Sequence, residues 1–86
     1  MTTSDAYSMA AANALTEVRR ARSMFPVMHS AHEGYAVLLE EMDELKAHVW
    51  MKQSKRDYAA LRKEAIQVAA MALAFAAEIC DAENRT

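Results

Sequence analysis

The sequence predicts an all-α fold, a three-helix chain whose last two helices form an antiparallel hairpin. The 86 residues contain one glycine and one proline, whereas a β-rich fold of this length needs several turns built from such residues. Hydrophobic residues make up 53% of the chain, and they recur at the three- and four-residue steps of amphipathic helices. No repeat, low-complexity tract or linker divides the chain, so residues 1–86 are expected to form a single domain.

The first helix is predicted from about Asp5 to Met24. Ser4 or Thr3 can cap its N-terminus, and Pro26 ends it because the residue before a proline is pushed out of the α region. The arginines of this helix are expected to line a solvated face. They are Arg19, Arg20 and Arg22.

The second helix is predicted from Ser30 to about Lys52, and it opens with a capping box. In Ser30-Ala31-His32-Glu33 the serine hydroxyl accepts the backbone N–H of Glu33, and the glutamate carboxylate reaches back to the N–H of Ser30. An apolar stripe follows at helical spacing. It consists of Tyr35, Leu38, Leu39, Met42, Leu45 and Val49.

The third helix is predicted over about residues 55–81, because Ser54 to Asp57 repeat the capping pattern with Asp in place of Glu. Only two to four residues then connect it to the second helix, so the two are expected to fold back on each other as an antiparallel hairpin. From Ala65 to Ala77 the third helix is apolar nearly all the way round. Such a helix needs cover on several sides. A homo-oligomer, a dimer or a tetramer, is therefore expected to complete a four-helix-type bundle.

Composition excludes several classes of protein. Ten basic and 12 acidic residues give a formal charge of −2, so the chain lacks the excess of positive charge that is typical of nucleic-acid-binding proteins. The longest uncharged run has 13 residues, whereas a membrane span needs about 20 apolar residues. Cys80 is the one cysteine and no basic-then-apolar leader opens the chain, so a cytoplasmic location is expected. We expect the Cys80 side chain to be buried and unreactive.

An acidic cluster, Glu40-Glu41-Met42-Asp43-Glu44, lies in the middle of the second helix. Glu41 and Glu44 share a face at i, i+3, and like charges at this spacing destabilise a helix by a few tenths of a kcal/mol per pair. Solvent, basic neighbours or a cation must offset that repulsion.

Folding the hairpin about residue 54 places position i opposite about 108 − i, since both arms rise equally per residue. Glu44 then faces Glu64, and Glu41 faces Gln67. Glu64 and Gln67 are themselves an i, i+3 pair. Three carboxylates and one carboxamide converge, which predicts an all-oxygen site suited to Mg²⁺ or Mn²⁺.

The same residues resemble a known signature. Glu40-Glu41-Met42-Asp43-Glu44, then 19 residues, then Glu64-Ala65-Ile66-Gln67, is similar to the Glu-Glu-x-x-Glu and Glu-x-x-Asp motifs of the MazG-like all-α nucleoside triphosphate pyrophosphohydrolases. The resemblance covers about Ser30 to Ala77 and looks like the small, phage- or prophage-type members. It implies Mg²⁺ (or Mn²⁺) as the cofactor and hydrolysis of a nucleoside triphosphate to the monophosphate and pyrophosphate.

The resemblance also implies roles for individual residues. Carried over, the metal ligands are Glu41, Glu44, Glu64 and Gln67. Glu40, one position off the ligand face, is the candidate catalytic residue that orients the attacking water. Gln67 stands where the family has Asp; its amide oxygen can ligate Mg²⁺, but the site loses one of four negative charges. An active enzyme and a catalytically silent relative therefore both remain open.

Glu78-x-x-Asp81 matches the second motif literally. The hairpin register places Glu78 opposite residue 30, far from Glu41, so we exclude it from the site.

Three further residues are candidates for substrate binding. Trp50 either stacks on the base or packs in a core or interface. Lys52 and Lys63 lie near the turn, where each either meets phosphates or is an ordinary surface cation. His48, at i+4 from Glu44, is expected to be its ion-pair partner.

Three classes of function fit these patterns. The first is an oligomeric house-cleaning enzyme that clears non-standard or excess nucleotides. The second is a degenerate relative that binds nucleotide or metal without turnover, and the third is a purely structural helical oligomer. A diiron bundle is excluded because it needs Glu-x-x-His pairs, and none occurs in this chain.

Overall fold

The computed structural model describes residues 2–82, and within them it contains helices and no strands. The predicted all-α class is confirmed. No helix in this range is long and apolar enough to cross a membrane. The elements are α1 (Thr3–Met24), α2 (Ala31–Val49), a 3₁₀ turn (Gln53–Lys55), α3 (Tyr58–Phe75) and a π-helical segment (Ala76–Asp81) that continues α3.

Side-chain caps explain where the first two helices begin. At α1 the hydroxyl of Thr2, rather than of Ser4 or Thr3, accepts the N–H of Asp5 at 3.2 Å, so the helix starts two residues earlier than predicted. At α2 the hydroxyl of Ser30 accepts the N–H of Glu33 at 3.1 Å as predicted. The carboxylate of Glu33 accepts the N–H of His29 at 3.1 Å, one residue before the N–H that the sequence suggested.

The connection between α2 and α3 is longer than predicted. α2 ends at Val49, and α3 begins at Tyr58 because Asp57, not Ser54, is its N-cap. The Asp57 carboxylate accepts the N–H groups of the second and third residues after it, at 3.0 and 3.2 Å. Residues 50–57 therefore connect the helices instead of two to four residues, but the midpoint stays near residue 54.

α3 is the central helix, packing against both α2 and α1. The buried core joins it to the α1–α2 linker through four residues, Met28, Ala70, Met71 and Ala74. Two contacts mark the ends of the α2–α3 pair. Gly34 lies against Phe75 at one end, and Arg56 donates to the carbonyl of Val49 at 2.8 Å at the other.

The three arginines of α1 do not share one environment, which corrects the prediction of a solvated face. Arg22 donates from Nε to Glu78 at 2.6 Å, and the side chains of this pair are only 21% and 12% exposed. The other Glu78 oxygen accepts the N–H of Met28 at 2.9 Å. Glu78 thus lies near residue 30, where the register placed it, and it is fully engaged there.

Cys80 is exposed, so the prediction of a buried cysteine is wrong. It lies in the π-helical segment, where its neighbours Glu78 and Ile79 are the partly buried residues. That segment therefore turns Cys80 away from the core.

Gly34 is a position where only glycine fits, and we expect Gly34→Ala to destabilise the fold. An added Cβ would lie 2.6 Å from Cδ2 of Phe75 and 3.0 Å from Sδ of Met28. We expect the free energy of unfolding to fall by about 1–3 kcal/mol, because overpacking outweighs the helix-propensity gain of about 1 kcal/mol. Urea denaturation measures this. In a Phe75→Ala background the ring that meets the added Cβ is gone, so the same substitution should cost less than it does in the parent.

Candidate metal centre

Three carboxylates from two helices meet between α2 and α3. Glu41 and Glu44 are one turn apart on α2, so they share a face, and Glu64 approaches them from α3. One carboxylate oxygen from each residue lies within 4.8 Å of the other two. Glu41 and Glu64 are partly buried and Glu44 is exposed. The cluster therefore has an inner side within the helix pair and an outer side open to solvent.

The inner oxygens of the cluster lack hydrogen-bond donors. Oε2 of Glu41 and Oε2 of Glu64 are both shielded from solvent without a partner. Desolvation, followed by repulsion from Glu44 and Glu64, raises the pKa of Glu41 to about 7. Desolvation and then the close approach of the Glu44 carboxyl group raise the pKa of Glu64 as well. A shared proton or a cation would supply what these oxygens lack.

The donor set fits a hard divalent cation. Mg²⁺ and Mn²⁺ prefer carboxylate oxygens and a geometry that leaves positions for water, and the exposed side of Glu44 leaves such an opening. A cation would also remove the repulsion that raises the two pKa values. The role of Glu41, Glu44 and Glu64 as ligands stays a prediction.

The fourth predicted ligand is engaged with α1. The side-chain nitrogen of Gln67 donates to Glu17 at 2.7 Å, and Arg20 donates to the same carboxylate at 3.0 Å. The hydrogen bonds from Arg20 and Gln67 lower the pKa of Glu17. The structure therefore brings three of the four predicted residues into one cluster and turns the amide nitrogen of Gln67 towards Glu17.

A small polar cleft of about 260 Å³ lies between α1 and α3, and Glu17, Arg62, Lys63 and Gln67 are among the residues that line it. The positive charge of Lys63 lowers the pKa of both Glu17 and Glu64. Lys63 therefore stands between the cleft and the carboxylate cluster. Sequence reasoning overlooked Glu17, since no spacing within α1 indicates which of its charged residues will face α3.

The other candidate site residues lie at the surface. Glu40 is exposed, and its charge contributes to the raised pKa of Glu41. Trp50 is 76% exposed at the C-terminus of α2, which rules out core packing within this chain and leaves the base-stacking and interface alternatives. Lys52 is exposed in the α2–α3 connection.

His48 lies near the cluster but does not form the ion pair that the sequence predicted. Its Nδ1 is shielded from solvent and has no hydrogen-bond partner, and its positive charge would lower the pKa of Glu64. The ion pair with Glu44 that the i, i+4 spacing predicted is not among the ion pairs closer than 4 Å in residues 2–82. The predicted ion pair between His48 and Glu44 is therefore wrong.

The raised pKa of Glu41 predicts a pH dependence of stability in the absence of divalent cations. The folded protein holds a proton on Glu41 up to about pH 7, whereas the unfolded chain releases it near 4.5. The native state therefore binds more protons between these values, and stability falls as the pH rises from 4.5 to 7. Because solvent screens this partly exposed group, the contribution is on the order of 1 kcal/mol.

The measurement is urea denaturation of the parent and of Glu41→Gln across pH 4–8 with a chelator present. The difference between the two proteins isolates Glu41 from the other titrating groups. We expect the free energy of unfolding of Glu41→Gln to rise relative to that of the parent as the pH rises through this window. A constant difference would show that the pKa of Glu41 is unperturbed.

Comparison with known proteins adds no family to this picture. No family model matches the chain, and neither a curated protein nor a solved structure matches it. The all-α fold and the carboxylate cluster between α2 and α3 are therefore the observations from which a function is argued.

Proposed function

We propose that this chain is a Mg²⁺- or Mn²⁺-dependent nucleoside triphosphate pyrophosphohydrolase of the MazG-like, house-cleaning type. The reaction is water plus nucleoside triphosphate to nucleoside monophosphate plus pyrophosphate. The observation that carries the proposal is the approach of Glu41, Glu44 and Glu64 to within 4.8 Å of one another. Two of their oxygens are shielded and lack donors, which distinguishes the cluster from a solvated acidic face.

The proposal includes an antiparallel hairpin of α2 and α3. Three contacts along the pair support it: Gly34 with Phe75, Glu44 with Glu64 and Val49 with Arg56. Residue numbers rise along one helix as they fall along the other. The connection is longer than predicted, but its midpoint is still near residue 54. The proposed register therefore still places Glu44 opposite Glu64.

Each surrounding residue has a proposed role. A bound cation would neutralise phosphate charge and lower the pKa of a bound water. Glu40, exposed beside Glu41, is placed to orient the attacking water and accept its proton. Lys63 and Arg62, which line the neighbouring cleft, supply positive charge for phosphate oxygens, with Lys52 as a more distant cation. The exposed ring of Trp50 is available to stack on a base.

A second candidate is a catalytically silent relative that binds nucleotide or metal, or serves only as a helical oligomer. The hydrogen bond from Gln67 to Glu17 favours it. The side chain of Gln67 is a neutral amide whose nitrogen donates this hydrogen bond, so the cluster carries three acids instead of four. Fewer charges lower the affinity for a divalent cation.

We also propose that the protein is a homo-oligomer, a dimer or a tetramer, that completes a helical bundle. Within residues 2–82, fourteen large hydrophobic side chains are exposed, which is consistent with surfaces that a second copy covers. A lone cysteine cannot form a disulfide within the chain, and this supports the cytoplasm as the proposed location.

Pyrophosphate release from a panel of nucleoside triphosphates with Mg²⁺ or Mn²⁺ separates the enzyme from the silent relative. Gln67→Asp sharpens the test, because it restores the fourth acid. We expect it to raise cation affinity or pyrophosphate release about tenfold or more. The same change breaks the bond to Glu17, so the cation-free protein should lose about 1 kcal/mol of stability.

Glu17→Gln combined with Gln67→Asp is the matched control, since it removes the repulsion that Gln67→Asp introduces. If neither variant changes cation affinity or activity, position 67 has no part in a metal site. If the parent protein also fails to bind Mg²⁺ or Mn²⁺, the metal-dependent function is wrong and the structural alternative stands.

A further inference from the structure

The chain exposes more surface than a protein of its mass does when monomeric. Its accessible surface is 6346 Å², whereas a folded monomer of this mass has about 5,100 Å². The difference is on the order of 1,200 Å². A stable interface of standard size buries about 800 Å² on each partner, so the excess is large enough for one.

Two apolar surfaces contribute to this excess, a groove lined by small side chains and a row of large ones. The first, the α1–α3 groove, has a volume of about 550 Å³ and is lined almost entirely by small side chains. Its residues are Ala10, Ala11, Ala14, Ala65, Ile66, Ala69, Ala72 and Leu73. The second, the α2 stripe, is a row of large exposed side chains at helical spacing. Its residues are Tyr35, Leu39, Met42 and Val49.

The two surfaces lie on the same side of the helix layer. On α2, counting about 100° per residue, Met42 lies a quarter turn from the direction of α3, and Glu44 lies about as far the other way. On α3, Ala65 lies a quarter turn from the direction of α2 in the same sense, and Gln67 lies on the opposite side. In two antiparallel helices lying side by side, a residue that is rotated by the same angle and in the same N-to-C sense from the direction of the neighbouring helix points to the same side of the pair. The apolar surfaces therefore share one side, and Glu44 points to the other.

We infer that a second copy of this chain docks on this side, with the α2 stripe of each copy seated in the α1–α3 groove of the other. A twofold axis parallel to α3 produces this arrangement, because it places the α2 of one copy under the groove of its partner and repeats the contact reciprocally. Alanines in the groove let the helices approach closely, and the large stripe residues fill it. The inference specifies the contact of the homo-oligomer proposed above and is independent of nucleotide hydrolysis.

The axis fixes which residues meet. A rotation about an axis parallel to α3 keeps every residue at its own height along the bundle. The hairpin register places Leu39 and Ala69 at the same height, since their numbers add to 108. Leu39 of each copy is therefore expected to contact Ala69 of the other. The carboxylate cluster, with Glu44 on the far side, stays uncovered.

The first test is the mass of the full chain in solution by sedimentation velocity and light scattering. We expect twice the 9.6 kDa of one chain for the parent. Ala69→Glu places a charge in the groove and should raise the dimer dissociation constant at least about 100-fold. Ala12→Glu is the matched control, because it makes the same change at an exposed α1 alanine outside the groove, and it should leave the dimer intact.

The second test identifies the contact by thiol cross-linking with a short bis-maleimide. Cys80 is exposed, so all variants carry Cys80→Ser. Leu39→Cys and Ala69→Cys chains should cross-link when mixed and not when each is alone. Circular dichroism checks that each variant remains helical.

Each outcome decides the inference. A monomeric parent at about 100 μM, a concentration well above the dissociation constants of stable dimers, overturns it. A dimer that tolerates Ala69→Glu overturns it, as does Ala69→Cys cross-linking to itself, which would mean that groove packs on groove. A monomeric Ala69→Glu chain that still binds Mg²⁺ would support the interface and leave the metal proposal intact. A parent protein that is a dimer but does not bind Mg²⁺ would contradict only the metal proposal.

Discussion

Replacing Glu41 by glutamine is expected to abolish stabilisation of the protein by Mg²⁺ and to lower any pyrophosphate release at least about 100-fold. Desolvation and the neighbouring carboxylates raise the pKa of Glu41 to about 7. Its shielded Oε2 has no donor. A cation bound at the cluster is therefore expected to interact strongly with this oxygen of Glu41. The neutral amide of glutamine cannot replace the negative charge of the carboxylate.

Thermal or urea denaturation measures the metal effect without relying on turnover. At a cation concentration about 100-fold above the dissociation constant, the parent should gain about 2.7 kcal/mol, and Glu41→Gln should gain nothing. The variant should nevertheless be at least as stable as the parent above pH 7 without a cation, because it lacks the ionised, desolvated carboxylate. A variant that is stable when free of metal and insensitive to metal would separate the site from the fold.

Asp43→Asn is the matched control. Asp43 is on the same helix, is exposed, and its replacement changes the net charge by the same amount, but it is outside the carboxylate cluster. The response to Mg²⁺ should be unchanged. If both variants reduce it equally, the cation is attracted by the diffuse negative charge of α2 and no specific site exists.

The carboxylate cluster could be anticipated from the sequence because it depends on two robust quantities. The i, i+3 spacing puts Glu41 and Glu44 on one face, and the midpoint of the connection decides that Glu64 is opposite Glu44. The predicted connection was too short, but the error was nearly symmetric: α2 ends early at Val49 and α3 begins late at Tyr58. The midpoint of the connection was unaffected, so the proposed register of the hairpin did not have to change.

The surroundings of the cluster could not be anticipated, because they depend on α1. How the first helix lies against α3 is set by burial of Ala14 and by the core around Met28, which no local spacing encodes. The bond from Gln67 to Glu17 follows from that placement. An i, i+3 argument along α3 alone assigns Gln67 to the cluster, since it contains no information about a competing acceptor on a third helix.

The same limit applies to the arginines of α1, and it leads to the second large expected effect. Arg22→Ala should lower the free energy of unfolding by about 2–3 kcal/mol, whereas Arg20→Ala should leave it nearly unchanged. The two residues are two positions apart in one helix and look alike in sequence. Arg20 pairs with Glu17 on the same helix and its side chain is 53% exposed, the kind of surface pair that contributes little.

Arg22 is different because its partners belong to two other parts of the chain, the π-helical segment and the α1–α2 linker. Its Nε donates to Glu78 at 2.6 Å, and its Nη1 donates to the carbonyls of Phe25 and Pro26 at 3.2 and 2.8 Å. Glu78 in turn accepts the N–H of the buried Met28. Removing the guanidinium leaves the shielded carboxylate of Glu78 without its charged donor, and such a group destabilises more than the lost attraction alone.

Urea denaturation of Arg22→Ala, Glu78→Gln and the double variant forms a cycle that isolates the pair. We expect a coupling of about 1–2 kcal/mol, retained at 1 M salt because the pair is shielded. Equal effects of Arg22→Ala and Arg20→Ala would show that the linker is held by the apolar core alone. A strong coupling would instead show that the π-helical segment helps to hold the α1–α2 linker. The segment carries Glu78, which contacts the N–H of Met28 and Arg22 near the end of α1.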